Sequence, residues 1–347
     1  MTIDYKSAGV DIVAGNESVR RIKAAVESTF SPAVLTEIGH FGAMYDLKSL
    51  MTTYQHPVLV QSMDGVGTKM MVAKMMHKFD TIGIDLVSAT VNDIIVLGAK
   101  PLTLLDYIAN DKIDPSVIEQ IVSGMVGACR EQGIALVGGE MAEMPGTYCA
   151  GEYDLVGVVT GVVDKEAVIL GDKIAVGDSI VAFASSGLHT NGYSLARKLL
   201  FEVGGYTVDT HLPELQRTVG DALLAPHINY ARPVLRLLQD KIPIAGMAHI
   251  TGGGLLENVA RVLPLHCDAE IMLGTWPILP IFSVLAKLSR LENDALYRTF
   301  NMGVGYVMVL PKEAVGAMQV ALKNFPEFSV YNIGQVVQGT KKVRLVG

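Results

Sequence analysis

Acidic, basic and glycine residues meet in the segment VLVQSMDGVGTK, residues 58–69, which carries the groups of a metal–nucleotide site. Asp64 supplies oxygens of the kind that magnesium prefers, and Lys69 adds a positive charge. Gly65 and Gly67 let backbone N–H groups come close to an anion such as a phosphate. The segment therefore predicts a magnesium–nucleotide loop, although a glycine turn with a solvated acid and lysine would contain the same residues.

A stripe of polar residues interrupts the apolar segment 81–97, which predicts a buried helix. Asp85, Ser88 and Asn92 have the spacing i, i+3 and i+7, so they share one face of that helix, and Asp93 lies beside them. A buried carboxylate usually has a metal ion, a cation or a network of donors as its companion. The stripe predicts either part of the metal–nucleotide site or a structural network that ties the helix to a sheet.

Three further glycine-rich segments follow short apolar strands, at 138–146, 185–192 and 251–254. Chemistry in α/β proteins tends to lie at the carboxyl ends of strands. In the last two segments a helix follows the glycines, so its first N–H groups could bind an anion. His189 and His249 accompany these two loops, where an imidazole could donate to a phosphate, move a proton or simply hold the loop.

The order of the elements predicts an α/β protein whose second domain begins near residues 171–177, where two glycines flank a polar stretch. A length of 347 residues also fits two domains. We further expect an irregular arm over 1–16, a helix over 18–30, a helix from Asp114 to Gly133 and a loop over 204–226.

Composition and charge exclude several classes of protein. The formal net charge of −7 gives no basic surplus for binding nucleic acid. The three cysteines, Cys129, Cys149 and Cys267, are far apart, which excludes a zinc cluster or a disulfide framework and fits a reducing cytoplasm. There is neither a signal-peptide pattern nor an apolar run of about 18 residues, so we expect a cytoplasmic protein without a membrane span.

Taken together, the motifs resemble one family. They occur in the order DGVGTK (64–69), VND (91–93), GGEMAEMPG (138–146), SSGLHTNGYSL (185–195), HITGGG (249–254) and FNMGVG (300–305). In this order they are similar to the aminoimidazole ribonucleotide synthetases, or phosphoribosylformylglycinamidine cyclo-ligases, of purine biosynthesis. The resemblance extends over essentially the whole chain. The wider superfamily of ATP-using enzymes includes selenophosphate synthetase and formylglycinamidine ribonucleotide synthetase.

The resemblance implies a fold, a reaction and an assembly. It implies mixed α/β sheets in two domains, with residues 1–170 binding ATP and residues 171–347, a mixed sheet flanked by helices, binding substrate or phosphate. The N-terminal sheets of two chains would pair into a β-barrel in a homodimer. With ATP and magnesium, the enzyme would convert formylglycinamidine ribonucleotide to 5-aminoimidazole ribonucleotide, ADP and phosphate through phosphorylation of the formyl oxygen. Its implied partners are a second copy and small nucleotide substrates.

The resemblance also implies roles for individual residues. The magnesium ligands would be Asp64, Asp93 and Glu140. The nucleotide would lie against these three residues and against Gly65, Gly67, Thr68, Lys69 and Asn92. Substrate or phosphate would contact Ser186, Gly187, His189, Thr190, Asn191, Thr251, Gly252, Gly253 and Gly254. The candidate catalytic residues are His189, His249 and Lys69, and the sequence leaves open which histidine moves a proton.

Some positions depart from the family pattern, and rival families fit less well. Met141 stands where threonine is usual, His40 stands where glycine is expected, and the segment after Tyr107 reads IANDK rather than ATGK.

Selenophosphate synthetase would need a reactive cysteine near the N-terminus, and residues 1–30 contain none. A non-catalytic binder of the same fold would have no need of costly buried carboxylates.

Overall fold

The computed structural model describes residues 5–347, which form two compact units. Unit 1 extends to Ile94 and resumes over Ala99–Glu166, whereas unit 2 contains Ile95–Gly98 and Ala167–Gly347. The chain leaves unit 1 for the last time after Glu166, a few residues before the predicted boundary at residue 170.

Unit 1 is an α/β unit built on one sheet. Its elements are α1 (Ile12–Glu27), α2 (Lys48–Thr53), β1 (Pro57–Gly65), α3 (Lys69–Met76), α4 (Asp80–Ile95), β2 (Lys100–Asn110), α5 (Pro115–Gln132), β3 (Ala135–Glu143) and β4 (Tyr153–Asp164). The strand order is β1–β4–β2–β3, in which β4 is antiparallel to β1 and β2, and β3 is parallel to β2. Because β1, β2 and β3 point the same way, their carboxyl ends lie along one edge of the sheet.

Capping residues set the ends of two helices in unit 1. Asp114 accepts a hydrogen bond from the backbone at the start of α5, and Gly133 ends that helix in the left-handed conformation, as predicted. α1 begins at Ile12, well before the predicted start at 18, because the Asp11 carboxylate caps it. The prediction of an irregular arm over 1–16 is therefore wrong from Ile12 onward, and residues 1–4 lie outside the described residues.

Unit 2 contains a mixed sheet flanked by helices, as the resemblance implies. Its elements are β5 (Ser179–Ala184), α6 (Tyr193–Arg197), β6 (His211–Leu212), β7 (Arg217–Thr218), α7 (Val219–Leu223), α8 (Ala231–Gln239), β8 (Gly246–His249), α9 (Gly254–Val262), β9 (Cys267–Met272), α10 (Pro280–Ser289), α11 (Asn293–Thr299), β10 (Val304–Leu310), α12 (Val315–Leu322), β11 (Val330–Gln338) and β12 (Val343–Val346). A π-helical segment (Lys198–Val203) continues α6, and a short 3-10 turn covers Lys312–Ala314; another, Lys165–Ala167, lies where the chain passes from unit 1 to unit 2. The main sheet has the order β12–β9–β11–β5–β10–β8, in which β12 pairs with β9 in parallel and the other neighbours pair antiparallel.

The segment 204–226 is more regular than the predicted loop. β6 and β7 form a hairpin there, and α7 follows, with the Thr218 hydroxyl accepting from the Asp221 N–H at 3.0 Å. Strands of two residues carry too little periodicity to be detected in the sequence. Within residues 5–347, no helix combines the length and the apolar character needed to cross a membrane.

Candidate active site

The carboxyl edge of the unit 1 sheet places the acid of the DGVGTK motif against a helix. One row of directly opposed residues crosses the sheet and consists of Asp64, Gly157, Asp106 and Gly139. Opposed residues direct their side chains to the same face, so Asp64 and Asp106 share a face. A Cβ at Gly157 would lie 3.1 Å from the Leu86 side chain, which shows that α4 packs on that face. Asp64 therefore faces the helix that carries the polar stripe.

Lys69 and Asp85 form a buried ion pair directly after the glycine loop. The Lys69 Nζ lies 2.8 Å from an Asp85 carboxylate oxygen, and neither side chain has any exposed surface. Burial lowers the pKa of Lys69, and the Asp85 carboxylate opposes that shift by stabilising the charged ammonium. A cation is thus the companion of this buried carboxylate, and the pair ties the residue that follows the glycine loop to α4. The contact of Lys69 with a phosphate stays a prediction.

Asp93 lies on the same face of the sheet as Asp64. The Ser62 Oγ donates to the Asp93 Oδ2 at 2.9 Å. Ser62 and Asp64 are two residues apart on β1, so both side chains face α4. In α4 itself, Asn92 and Ser88 are fully buried. Asp64 and Asp93 therefore lie on one face of the sheet, and their role as magnesium ligands stays a prediction.

Glu140 is not brought to this pair within one chain. It lies in β3 opposite Tyr107 and next to Gly139, so its side chain faces the other side of the sheet from Asp64. Two strands separate β3 from β1, which places these strands about 14 Å apart. Accordingly, no three His, Cys, Asp or Glu side chains among the described residues are grouped to hold a metal ion. A single chain therefore does not assemble the predicted set of three carboxylates.

The second acid of the GGEMAE segment has a structural role that the sequence did not reveal. Glu143 accepts hydrogen bonds from the backbone N–H of Asp11 and from that of Ile113, the latter at 2.8 Å. It thereby ties the start of α1 to the segment that precedes α5. Gly138 and Gly139 belong to β3, so the predicted loop over 138–146 is wrong for residues 138–143, which continue the strand.

Three motif loops converge at one edge of the unit 2 sheet. β5 and β8 flank β10 and run antiparallel to it, so the loops after β5 and β8 lie beside the loop that enters β10. The Asn301 Nδ2 donates to the Gly187 carbonyl at 2.8 Å, and its Oδ1 accepts from the Ser185 Oγ at 3.0 Å. A Cβ at Gly252 would lie 3.7 Å from the Asn191 side chain. The predicted substrate loops therefore form one continuous edge, which we call the three-loop edge (185–192, 249–254 and 300–305).

A chain of buried histidines lies at the three-loop edge. The His189 ring stacks on the His227 ring, with 4.0 Å between centroids and 19° between planes. The His227 Nε2 lies 3.1 Å from the His249 Nε2, and the His227 Nδ1 lies 3.4 Å from the Thr190 Oγ1. The His189 Nε2 accepts from the Ser186 N–H at 3.3 Å, so this imidazole holds its own loop. The structure thus joins both predicted histidines in one cluster and adds His227, which belongs to no motif.

Gly305 makes room for the histidine cluster. A Cβ at this position would overlap the Tyr230 hydroxyl and the His189 ring. The Tyr230 hydroxyl donates to the Ala184 carbonyl at 2.8 Å. Burial raises the pKa of Tyr230 well above its ordinary value, so the phenol keeps its proton and remains a donor. The second glycine of the FNMGVG motif, Gly305, is therefore explained by close packing of aromatic rings.

Asn258 holds the TGGG loop from within α9. Its Nδ2 donates to the carbonyls of Thr251, Gly252 and Gly254 at 3.2, 3.2 and 2.9 Å. Gly253 and Gly254 have φ values of 94° and 59°, in the left-handed region that favours glycine. Asn258 belongs to none of the sequence motifs. The available signal was an asparagine inside a helix, where this residue type is unfavourable unless its side chain binds backbone groups.

Comparisons with known proteins agree with this architecture. Residues 46–163 match the AIR synthase related protein N-terminal domain, and residues 175–346 match its C-terminal domain. The phosphoribosylformylglycinamidine cyclo-ligases of Trichlorobacter lovleyi and Bacillus cereus are each 48% identical to the chain, covering 97% and 96% of it and 95% and 96% of their own lengths. That of Geotalea uraniireducens is 46% identical over 99% of both proteins. The chain belongs to the phosphoribosylformylglycinamidine cyclo-ligase family. The family resemblance of the motifs is thereby confirmed.

Solved structures share the fold at lower identity. Thiamine-monophosphate kinase from Stenotrophomonas maltophilia has a TM-score of 0.67 at 18% identity, over 95% of each chain. The hydrogenase maturation protein HypE, solved in complex with ATP, has a TM-score of 0.64 at 20% identity, over 94% of this chain and 90% of that one. These likenesses confirm the predicted α/β fold with mixed sheets.

Proposed function

We propose that the chain is an ATP-dependent cyclo-ligase of purine biosynthesis, which converts formylglycinamidine ribonucleotide to 5-aminoimidazole ribonucleotide, ADP and phosphate. The observation that carries this proposal is the near-complete match to relatives named for the ligase activity, at 46% and 48% identity. The placement of acids and glycine loops at the edges of both sheets supports it, because phosphoryl transfer needs positioning and charge stabilisation from these residue types.

The proposed reaction has two steps. The formamide oxygen of the substrate first takes the γ-phosphoryl group of ATP, and ADP leaves. The amidine nitrogen then attacks the same carbon, the carbon–oxygen bond breaks, phosphate leaves, and the nitrogen releases a proton. Phosphorylation is needed because the unmodified formamide oxygen is a poor leaving group. The protein therefore has to align the two reactants and to accept one proton.

ATP would bind at the carboxyl edge of the unit 1 sheet. The loop 65–68 would present backbone N–H groups to the phosphates, and Gly67, with a φ of 62°, has open space where a side chain would be. Asp64 and Asp93 fit a magnesium ion because both carboxylates lie on the face of the sheet that packs against α4. When bound, magnesium would neutralise charge on the phosphates. Lys69 would support the loop through its ion pair with Asp85.

The nucleotide substrate would bind at the three-loop edge of unit 2. The loops 186–191 and 251–254 lie side by side at this edge, which supports the proposal that a single ligand contacts both. The backbone N–H groups of these loops would bind its phosphate, and the Ser186 and Thr190 hydroxyl oxygens would accept hydrogen bonds from its ribose or from another donor. His189 and His249 remain the two candidate proton acceptors, and the Nε2 of each already makes a hydrogen bond, with the Ser186 N–H and with the His227 Nε2 respectively.

We also propose a homodimer formed through the outer face of the unit 1 sheet. Leu59, Met63 and Leu105 lie on the face opposite Asp64 and are 59%, 70% and 45% exposed. Large apolar side chains on an exposed sheet face mark a protein interface. In sedimentation velocity, Met63→Lys should convert the dimer to a monomer, whereas Leu265→Lys, at a position that is 81% exposed, should not. A dimer that survives the Met63 change would refute this surface, and a monomeric wild type would refute the assembly.

A cytoplasmic location is part of the proposal. The free thiols of Cys129, Cys149 and Cys267 fit a reducing compartment, as does a reaction that consumes ATP. Fractionation of cells that express the chain would test this: the activity should follow a cytoplasmic marker, and recovery of the activity with the periplasm or membranes would contradict it.

The direct test of the function is to incubate the purified chain with ATP, magnesium and formylglycinamidine ribonucleotide. We expect ADP and 5-aminoimidazole ribonucleotide to form in equal amounts. Asp64→Asn, purified in the same way, controls for a contaminating host enzyme because it should be nearly inactive. ADP without the aminoimidazole product, or neither product, would refute the proposed function.

A further inference from the structure

We propose that His227 is a positioning residue that fixes the proton positions of Thr190 and His249 at the three-loop edge. His227 lies outside every motif, in the segment between α7 and α8, and is 1% exposed. It stacks on His189 and reaches His249 and Thr190 with its two ring nitrogens. The spectroscopic part of this proposal is independent of the proposed function, and its kinetic part rests on that function.

The contact between His227 and His249 links the proton positions of the two rings. Their Nε2 atoms lie 3.1 Å apart, and a hydrogen bond between two nitrogens contains one proton. If both rings are neutral, one Nε2 carries the proton and the other accepts it. The two rings must therefore have opposite tautomers, so whatever sets the tautomer of His227 also sets that of His249.

Thr190 and Asn191 set the direction of this chain. The Asn191 Nδ2 donates to the Thr190 Oγ1 at 3.4 Å, and a one-way chain results when the Thr190 hydroxyl donates its hydrogen to the His227 Nδ1. His227 then carries its proton on Nε2 and donates to the His249 Nε2. His249 in turn carries its proton on Nδ1. Hydrogen bonds that point one way along a chain strengthen one another, so this arrangement is favoured.

The direction of the chain determines what Thr190 offers to a ligand. Its hydroxyl hydrogen points inward to His227, and Asn191 uses one of the two acceptor positions on its oxygen. The remaining position accepts a hydrogen bond. Thr190 is half-buried and belongs to the predicted substrate loop, so it would bind an N–H or O–H donor of the substrate, such as an amidine nitrogen or a ribose hydroxyl, and not a phosphate oxygen.

Three substitutions of His227 separate these contacts. Glutamine places an amide near the original Nε2 and so retains the contact with His249. Asparagine places its amide near the original Nδ1 and retains the contact with Thr190. Phenylalanine keeps a ring that stacks on His189 and loses both hydrogen bonds. His211→Phe, in the exposed β6–β7 hairpin, is the matched control for loss of a histidine.

The tautomers can be measured in the chain labelled with 15N-histidine, by long-range 1H–15N spectra recorded without any ligand. We expect His227 to be protonated on Nε2 and His249 on Nδ1. His227→Phe and His227→Asn should convert His249 to a mixture of tautomers, whereas His227→Gln and His211→Phe should leave it unchanged. A wild-type His249 protonated on Nε2, or a His249 signal that does not respond to His227→Phe, would overturn the proposal.

Turnover of formylglycinamidine ribonucleotide provides the kinetic test. We expect His227→Phe to lower kcat about tenfold and His227→Gln to retain most of it, because loss of one positioned hydrogen bond has about this effect. Both variants should unfold at similar temperatures, since both fill the space next to His189. Equal rates for the two variants would refute a positioning role, even if the tautomers shift as expected. An inactive wild type would refute the proposed function and leave the spectroscopic result intact.

Discussion

Replacing Asp85 with leucine should leave the Lys69 ammonium buried without its carboxylate. The two charged atoms are 2.8 Å apart, which corresponds to an attraction of about 6 kcal/mol at an effective dielectric constant of ~20. Desolvation offsets most of that attraction while the pair is intact. When one partner is removed, the desolvation cost of the remaining charge is no longer offset, and the free energy of unfolding falls by about 3–5 kcal/mol. In a unit of this size, the loss corresponds to a melting temperature about 10 °C lower.

A double substitution gives the control. Lys69→Met together with Asp85→Leu replaces the ion pair by two apolar side chains of similar volume, and such replacements of buried pairs are often neutral. We therefore expect each single variant to melt well below the wild type in scanning calorimetry and the double variant to recover most of the difference. Single variants that melt at the wild-type temperature, or a double variant that is less stable than either, would refute this account of the pair.

The same double variant tests the role of Lys69 toward ATP. Because the Nζ has no exposed surface and lies on Asp85, we expect the folded double variant to keep turnover within about tenfold of the wild type. A folded double variant without any turnover would show that Lys69 contacts the phosphates directly.

The remaining predictions concern single positions. Asp64→Asn should lower turnover at least about tenfold with an unchanged melting temperature, as expected for a lost metal ligand, and near-normal turnover would remove Asp64 from the metal site. Burial raises the pKa of Asp106 from 3.8 to about 7, so the folded chain holds a proton that the unfolded chain releases, and stability falls as the pH rises through that window. Asp106→Asn should therefore stabilise the protein more at about pH 8 than at about pH 4, by up to ~4 kcal/mol in unfolding titrations, and an equal effect at both would contradict the shift. Gly305→Ala should cost about 1–3 kcal/mol in denaturant unfolding because its methyl group overlaps the Tyr230 hydroxyl, whereas Gly316→Ala, with open space around it, should not destabilise; equal stability would contradict this packing.

The motif loops could be predicted because their signals are local. Glycines and polar residues directly after an apolar strand identify the ends of β1, β5 and β8 without any knowledge of distant contacts. The partner of a buried carboxylate is a different matter. The sequence required a companion for Asp85 but did not distinguish a metal ion from a cationic side chain. That the companion is Lys69 depends on how α3 packs against α4.

Residues that join distant segments could not be predicted. His227 and Asn301 act through contacts with loops that are close in space because β5, β8 and β10 are adjacent in the sheet. The strand order of a mixed sheet is not specified by the periodicity of its strands. The partners of these two side chains therefore cannot be identified until the topology is known.

The position of Glu140 connects two predictions that the sequence treated separately. The GGE segment continues β3, and the alternation of side chains along a strand then places Glu140 on the outer face, with Tyr107. Leu105 and Met63 lie on that same face, where we place the dimer interface. Within one chain Glu140 therefore cannot join Asp64 on a shared ion. A direct role of Glu140 in binding the nucleotide complex would require a second copy of the chain, so the metal prediction for this residue depends on the assembly.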